Sequence, residues 1–294
     1  MEIIFLGTSG MQPTRERNLF SVLLRYNNEN ILIDCGEGTQ RQLRIANMSS
    51  TKITKILITH VHGDHINGLP GFLQNLNANE YNKELEIYGP LGLKKIMSHI
   101  LSIARVDIKL RVIEIKEGIF FKNDDFKLEC KRLSHSCLCY GYSFIENDKR
   151  RINLNYTKRY GLVKHPLLGI LQKGKDIAYN GKKIKARDAT IIVKGKKISL
   201  ITDTEYCESA IKLARDSDVL ISESTFLDDL KETALKFKHL TSRDAALIAK
   251  KAKAKKLILT HFSQRYKDLR NMEKEARKIF KNTITAKDFM RINL

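Results

Sequence analysis

Short apolar runs bounded by glycine, asparagine or charge recur along the chain. Residues 2–6, 20–26, 31–34 and 55–59 read as strands on this pattern. Asp34-Cys35-Gly36-Glu37-Gly38 predicts a tight turn, and Thr39–Ala46 a helical stretch after it. The fourth run leads through a His-rich loop to a helix containing Phe72-Leu73-Gln74-Asn75-Leu76. The stretch 84–90 (ELEIYGP) reads as strand, and 91–105 as helix, because Leu93, Ile96, Met97 and Ile100 fall at helical spacing. Residues 108–145, including FKLECKRL and YGYSFI, predict a meander of strands. TIIVKG, ISLITD, DVLISE and KKLILTH predict a second β/α set over 190–262, with helices near 207–215 and 241–253. Strands and helices mix throughout without an internal repeat. The pattern predicts an α/β protein with two layers of sheet flanked by helices.

Residues 146–190 interrupt this pattern, with no clear strand before 190. They read as a long connection, of the kind that is a functional excursion or a linker. Charge singles out the same segment. The chain has 294 residues and a formal net charge of +20, from 53 Lys and Arg against 33 Asp and Glu. Twelve of the basic residues and only four acids lie in 146–190, so eight of the twenty excess charges fall there. Such an excess predicts a polyanionic partner, nucleic acid first. With 42% hydrophobic residues the chain can bury a full core. No apolar run approaches the roughly 18 residues of a membrane span, and the opening MEIIFLGTSG reads as a buried strand rather than a secretory signal. Cys35, Cys130, Cys137, Cys139 and Cys207 are odd in number and scattered, which predicts reduced thiols in a cytoplasmic protein. Cys137-Leu-Cys139 is one residue short of a redox or zinc-knuckle spacing, so both read as packing positions.

The densest chemistry lies at Thr59-His60-Val61-His62-Gly63-Asp64-His65. Alternation at a strand end predicts His60 and His62 on one face, and the following turn swings Asp64 and His65 to a second point. One ion cannot easily take four ligands from so short a loop, but two neighbouring ions can share them. Paired ions suit displacement at phosphorus. His135, Asp203 and His261 each stand at the end of a predicted strand and join the candidate ligands. His239, before a predicted helix, is a further candidate, whereas His99 and His165 read as surface residues.

In order along the chain stand FLGTSG, PTRERN, DCGEGTQRQL, THVHGDHINGLPG, LSHSCLCYGY, ITDT, ISESTF, HLTS and LTHFSQRY. This series resembles the ribonuclease Z family of the metallo-β-lactamase superfamily over essentially the whole length. The resemblance implies an α/β, four-layer αββα fold forming one domain over 1–294. A flexible basic arm at about 146–190 would be inserted in it to grip precursor tRNA. It implies two zinc ions, with manganese or iron as possible substitutes: His60, His62 and His135 would hold one, Asp64, His65 and His261 the other, and Asp203 would bridge them. Asp64 would accept the proton of the attacking water and His239 would assist the leaving group. Pro13, Arg15, Arg17 and Asn18 would contact substrate from one loop, and Lys158, Arg159, Lys164 and Lys173 from the arm. The products would be a tRNA 3′-hydroxyl and a trailer 5′-phosphate. The family is typically a cytoplasmic homodimer whose arm serves the partner's site. Two positions depart from its pattern: Arg15 stands where Lys is usual, and His165-Pro166 where the arm usually turns on Gly-Pro. Two other readings compete. A superfamily hydrolase of a thioester, cyclic nucleotide or lactam has no use for a basic arm, and a non-catalytic RNA-binding module needs no complete ligand set.

Overall fold

The opening apolar run forms β1 (Glu2–Gly7), five of whose six residues are buried. It pairs antiparallel with β2 (Ser21–Tyr26), and β2 with β3 (Glu29–Ile33). Three strands then add in parallel: β4 (Lys55–Leu57), β5 (Leu85–Gly89) and β6 (Leu110–Glu114). Between them lie α1 (Thr39–Ile45), the single turn α2 (Gly63–Ile66), α3 (Leu69–Ala78) and α4 (Leu93–Ala104). A second sheet starts with β7 (Gly118–Lys122), β8 (Phe126–Leu133) and β9 (Cys139–Glu146).

The computed structural model describes residues 1–294 and divides into two compact units. One comprises 1–121, 128–144 and 197–294, the other 122–127 and 145–196. The smaller unit holds β10 (Lys149–Ile152), α5 (Leu154–Thr157), α6 (Leu167–Gln172), β11 (Ile177–Tyr179), β12 (Lys182–Ile184), α7 (Ala186–Ala189) and β13 (Thr190–Val193). In the larger unit the second sheet resumes with β14 (Lys197–Ile201), α8 (Glu208–Ala214), β15 (Val219–Glu223), α9 (Lys231–Phe237) and α10 (Ser242–Lys251). It ends with β16 (Leu257–Thr260), α11 (Arg270–Arg277) and β17 (Thr283–Thr285), while β18 (Arg291–Asn293) returns to pair with β1.

Alternation along the strands sorts the side chains into layers. On the first sheet Ile4, Leu23, Leu32 and Ile56 pack outward with Leu43, Phe72, Leu76 and Met97 of α1, α3 and α4. On the second, Leu220, Leu257 and Leu259 pack with alanines and aliphatics of α8, α10 and α11, among them Ala246, Ile248 and Ala276. The intervening residues face each other across the two sheets: Ile3, Val22 and Ile31 oppose Leu128, Leu200 and Ile221. The buried Tyr142 hydroxyl donates to the Ile58 carbonyl at 2.6 Å and ties the layers together. The sandwich is therefore helix–sheet–sheet–helix, a mixed α/β architecture of the expected kind. No helix is long and apolar enough to cross a membrane. All five cysteines are free.

Two expectations need correction. The segment 146–190 is not a featureless connection: Leu162, Leu171, Ile177, Ile184, Ala186 and Ala189 form a small buried core within the lesser unit. Its strands are three or four residues long, too short for alternation to be read. TIIVKG does not open the second β/α set either, because β13 pairs with β10 inside that unit.

The parallel pairings dictate where chemistry can gather. β3 and β4 run parallel, as do β14, β15 and β16. Loops following the carboxyl ends of parallel strands form the usual binding crevice of α/β sheets.

Candidate metal centre

Every residue of the cluster leaves one of those carboxyl ends or a neighbouring loop. Asp34 follows β3, Asp203 follows β14, Glu223 ends β15 and His261 follows β16. β4 stops at Leu57, two residues short of the predicted run, so His60 and His62 lie in the loop after it. His62 is the N-cap of α2, whose single turn carries Asp64 and His65 inward. Four non-glycine residues here occupy the left-handed region: Met11 (φ 57°), Asp34 (56°), Asp203 (35°) and His261 (55°). Such conformations persist only where the surroundings enforce them, and they concentrate at functional sites.

The side chains gather in two groups. Donor atoms of His60, His62, His135 and Asp203 all lie within 4.8 Å of one another, as do those of Asp64, His65, Asp203 and His261. Asp203 belongs to both. The outer hydrogen bonds orient the rings. Nδ1 of His65 lies 2.7 Å from Asp34, Nδ1 of His60 3.0 Å from Thr59 Oγ1, Nδ1 of His135 3.1 Å from the Lys238 carbonyl, and Nδ1 of His261 3.2 Å from Thr225 Oγ1. Each of these four rings therefore turns Nε2 to the centre, while His62 offers Nδ1, 3.0 Å from His60 Nε2 and 3.3 Å from His135 Nε2. Outer partners that fix ring and tautomer are the usual second layer of a metal site.

The residues fit a divalent cation. Nε2 of His65, Nε2 of His261 and Oδ1 of Asp203 are buried without a hydrogen-bond partner. Orphaned polar atoms cost about 1–3 kcal/mol each, and a coordinated ion removes that cost. The donors are imidazole nitrogens and carboxylate oxygens, a mixture that suits zinc and also manganese or iron. Burial holds the His60 imidazole well below its ordinary pKa, and burial likewise lowers His135, so both favour the neutral ligand form. Burial also opposes charge on His65, but Asp203 and Asp34 outweigh it and hold its pKa well above the ordinary value. The Asp203 carboxyl lies well below the usual range: His261, His65 and His60 overcome its burial. The centre is a place where positive charge is welcome.

Asp64 and His239 line a cavity of about 420 Å³ together with Met11, His135, Asp203 and His261. Asp64 Oδ2 accepts the Met11 backbone N–H at 2.8 Å and lies 3.3 Å from His65 Nε2 and 3.5 Å from His261 Nε2. Those two imidazoles override burial and hold Asp64 far below the ordinary carboxyl range. His239 is fixed from behind, its Nδ1 lying 3.1 Å from Glu223 Oε2. Glu223 and Asp203 overcome burial and raise the His239 pKa to about 9. Glu223, His239 and His261 also form a group of donor type. The fully buried Glu223 carboxylate already accepts from Thr204 N–H at 2.7 Å and Thr225 Oγ1 at 2.6 Å, so it serves as a brace. The HLTS motif explains the placement of His239. Thr241 caps α10 in a capping box with Asp244, which fixes the chain entering the helix two residues after His239.

The other candidate residues lie apart. Pro13 and Arg15 are exposed on the loop between β1 and β2; Arg17 is buried, and the Asn18 backbone donates to Asp288. Lys158, Arg159, Lys164 and Lys173 are exposed in the smaller unit. His99 and His165 are exposed, as expected. Asp34, Glu223 and Thr225 went unassigned in the sequence, although all three lie within quoted motifs, DCGEGTQRQL and ISESTF. Asp288 had no such signal.

The model of the family described as anti-Pycsar protein Apyc1 matches residues 1–157. That of the β-lactamase superfamily domain matches 184–262. Relatives named ribonuclease Z match almost end to end. That of a Picosynechococcus species is 42% identical, covering 99% of this chain and 95% of its own. That of Archaeoglobus fulgidus is 37% identical, covering 100% and 97%. The crystal structure of human tRNase Z, short form, superposes with a TM-score of 0.73 at 28% identity, covering 100% of this chain and 99% of that one. Agreement over the whole length, against a first family match that stops near mid-chain, decides the assignment: the chain belongs to the ribonuclease Z family of the metallo-β-lactamase superfamily.

Proposed function

We propose that this chain is a metal-dependent endoribonuclease that removes 3′ trailers from precursor tRNA. The cut would leave a 3′-hydroxyl on the tRNA and a 5′-phosphate on the trailer. One observation carries the reading: two donor groups share Asp203, and Asp64 and His239 line the cavity beside them. His60, His62, His135 and Asp203 would hold one zinc ion, and Asp64, His65, His261 and Asp203 a second. When bound, the ions supply Lewis-acid polarisation of the phosphate and an acidified water.

The chain's own residues supply positioning and proton transfer. Asp34, Thr59 and Thr225 hold the rings so that ligand nitrogens converge before substrate arrives. Asp64 stays ionised and accepts the proton of the attacking water. His239, kept protonated by Glu223, presents Nε2 to the cavity and gives its proton to the departing 3′-oxygen as the phosphorus–oxygen bond breaks. The exposed basic side chains of the smaller unit offer phosphate contacts, which position RNA without reading its sequence. This suits an enzyme that accepts many tRNAs by shape. A homodimer in which that unit serves the partner's site belongs to the same proposal. The test is incubation of purified protein with a precursor tRNA and zinc: a trailer released with zinc and retained with chelator supports the reading, and an intact precursor under both conditions refutes it.

A further inference from the structure

The larger unit holds a second and larger cavity, of about 920 Å³, that the proposed reaction does not use. Its walls are Glu16 and Arg17, the stretch from Lys267 through α11, and the segment from Thr285 to Phe289. The two cavities meet at one contact. Ser263 lines the metal-centre cavity, and its carbonyl accepts from Arg17 Nη2 at 3.3 Å, while Arg17 lines the larger space. The chain leaving His261 thus passes from one cavity into the wall of the next.

The larger cavity is built for anions. Arg17 is 7% exposed and its Nε has no hydrogen-bond partner. Burial lowers its pKa despite Asp288 and Glu16, so these carboxylates do not fully compensate it. A buried guanidinium with an unmet donor calls for a charged acceptor. Around it three of the four acids are occupied, and the fourth, Glu16, is exposed. Asp268 pairs with Arg270 at 2.7 Å and Glu273 with Arg277 at 2.9 Å, and Asp288 accepts from Thr8 and Asn18. Lys267, Lys274 and Lys287 are exposed on the same walls and pair with no carboxylate.

We propose that this cavity binds the phosphates of the 3′ trailer, an inference that rests on the ribonuclease reading above. The leaving oxygen belongs to the tRNA and departs at His239, on the connection between α9 and α10. The trailer is the strand that His239 does not hold. Met11, which steadies Asp64, and Arg17, on the wall of the basic cavity, stand on one loop six residues apart.

The test compares wild type with Lys267→Gln/Lys274→Gln/Lys287→Gln on two precursor tRNAs that differ only in trailer length. With a trailer of about ten nucleotides the variant should lose roughly tenfold in kcat/KM, and its binding should show a salt slope shallower by about 2. With a single-nucleotide trailer it should match wild type within about twofold. Equal loss on both substrates, or no loss on either, overturns the trailer site while leaving the ribonuclease reading intact. Wild type that cuts neither precursor overturns that reading and the trailer site with it.

Discussion

Asp34 Oδ2 and His65 Nδ1 lie 2.7 Å apart, and both side chains are wholly buried. The same carboxylate accepts the Thr59 backbone N–H and the Thr59 hydroxyl, each at 2.8 Å. Three donors therefore converge on one anion, which leaves His65 Nε2 as the inward ligand atom. In Asp34→Asn the amide offers one acceptor oxygen, so a donor is orphaned and the ring loses its alignment. Metal affinity should fall about 10–100-fold, measured by competition with a chromogenic chelator. Wild-type affinity in this variant would remove Asp34 from the account.

Gly10 presses against the other edge of the centre. A Cβ there would lie 2.4 Å from Cε1 and 2.7 Å from Nδ1 of His261, closer than any packed contact. Gly10→Ala should push the ring off its donor group and roughly halve the metal retained after dialysis, because only one of the two proposed sites contains His261. Full metal retention would show that the ring has room to move.

The sequence made some of this centre visible and hid the rest for definable reasons. His60, His62, Asp64 and His65 are crowded within six residues, and no structural role explains such density. His135, Asp203 and His261 were legible because each stands at the end of a predicted strand. Asp34 stood in a Gly-rich turn and read only as a turn residue; its role depends on two strands being adjacent and parallel. Glu223 looked like the charged end of a strand, although it is fully buried and braces His239. The helix at 93–104 was legible from its periodicity, and the one at 242–251 from its place between two predicted strands. The smaller unit was not, since its core is assembled from single residues of very short elements.

Asp288 links the loop between β1 and β2 to pH. Burial pushes its carboxyl from 3.8 up to about 6, although Asn18, Thr8 and Arg17 pull the other way. A folded pKa above the unfolded one means that the folded state binds the proton more tightly. This contribution to stability is complete below about pH 4 and is lost as pH rises through about 6. Between those limits wild type should lose up to roughly 3 kcal/mol relative to Asp288→Asn, read from denaturant unfolding at each pH. Parallel pH curves for the two proteins would contradict this.

Lys158, Arg159, Lys164 and Lys173 carry no metal-centre chemistry. Replacing all four with Gln should weaken precursor tRNA binding and flatten its salt slope by about 3. Hydrolysis of a small phosphodiester should be unchanged. Equal loss of both activities would place these residues in the folding of the centre, and an unchanged slope would place the RNA surface elsewhere.

The central claim is that this His/Asp centre cuts precursor tRNA with Asp64 as proton acceptor. End-group mapping of the cleaved RNA, for wild type and Asp64→Ala at equal protein, tests it most directly. The account predicts a tRNA ending in a 3′-hydroxyl and a trailer beginning with a 5′-phosphate from wild type, and a rate at least about 10²-fold lower from the variant although it still binds the precursor. A cyclic phosphate at the cut, or variant cleavage within about tenfold of wild type, would contradict it.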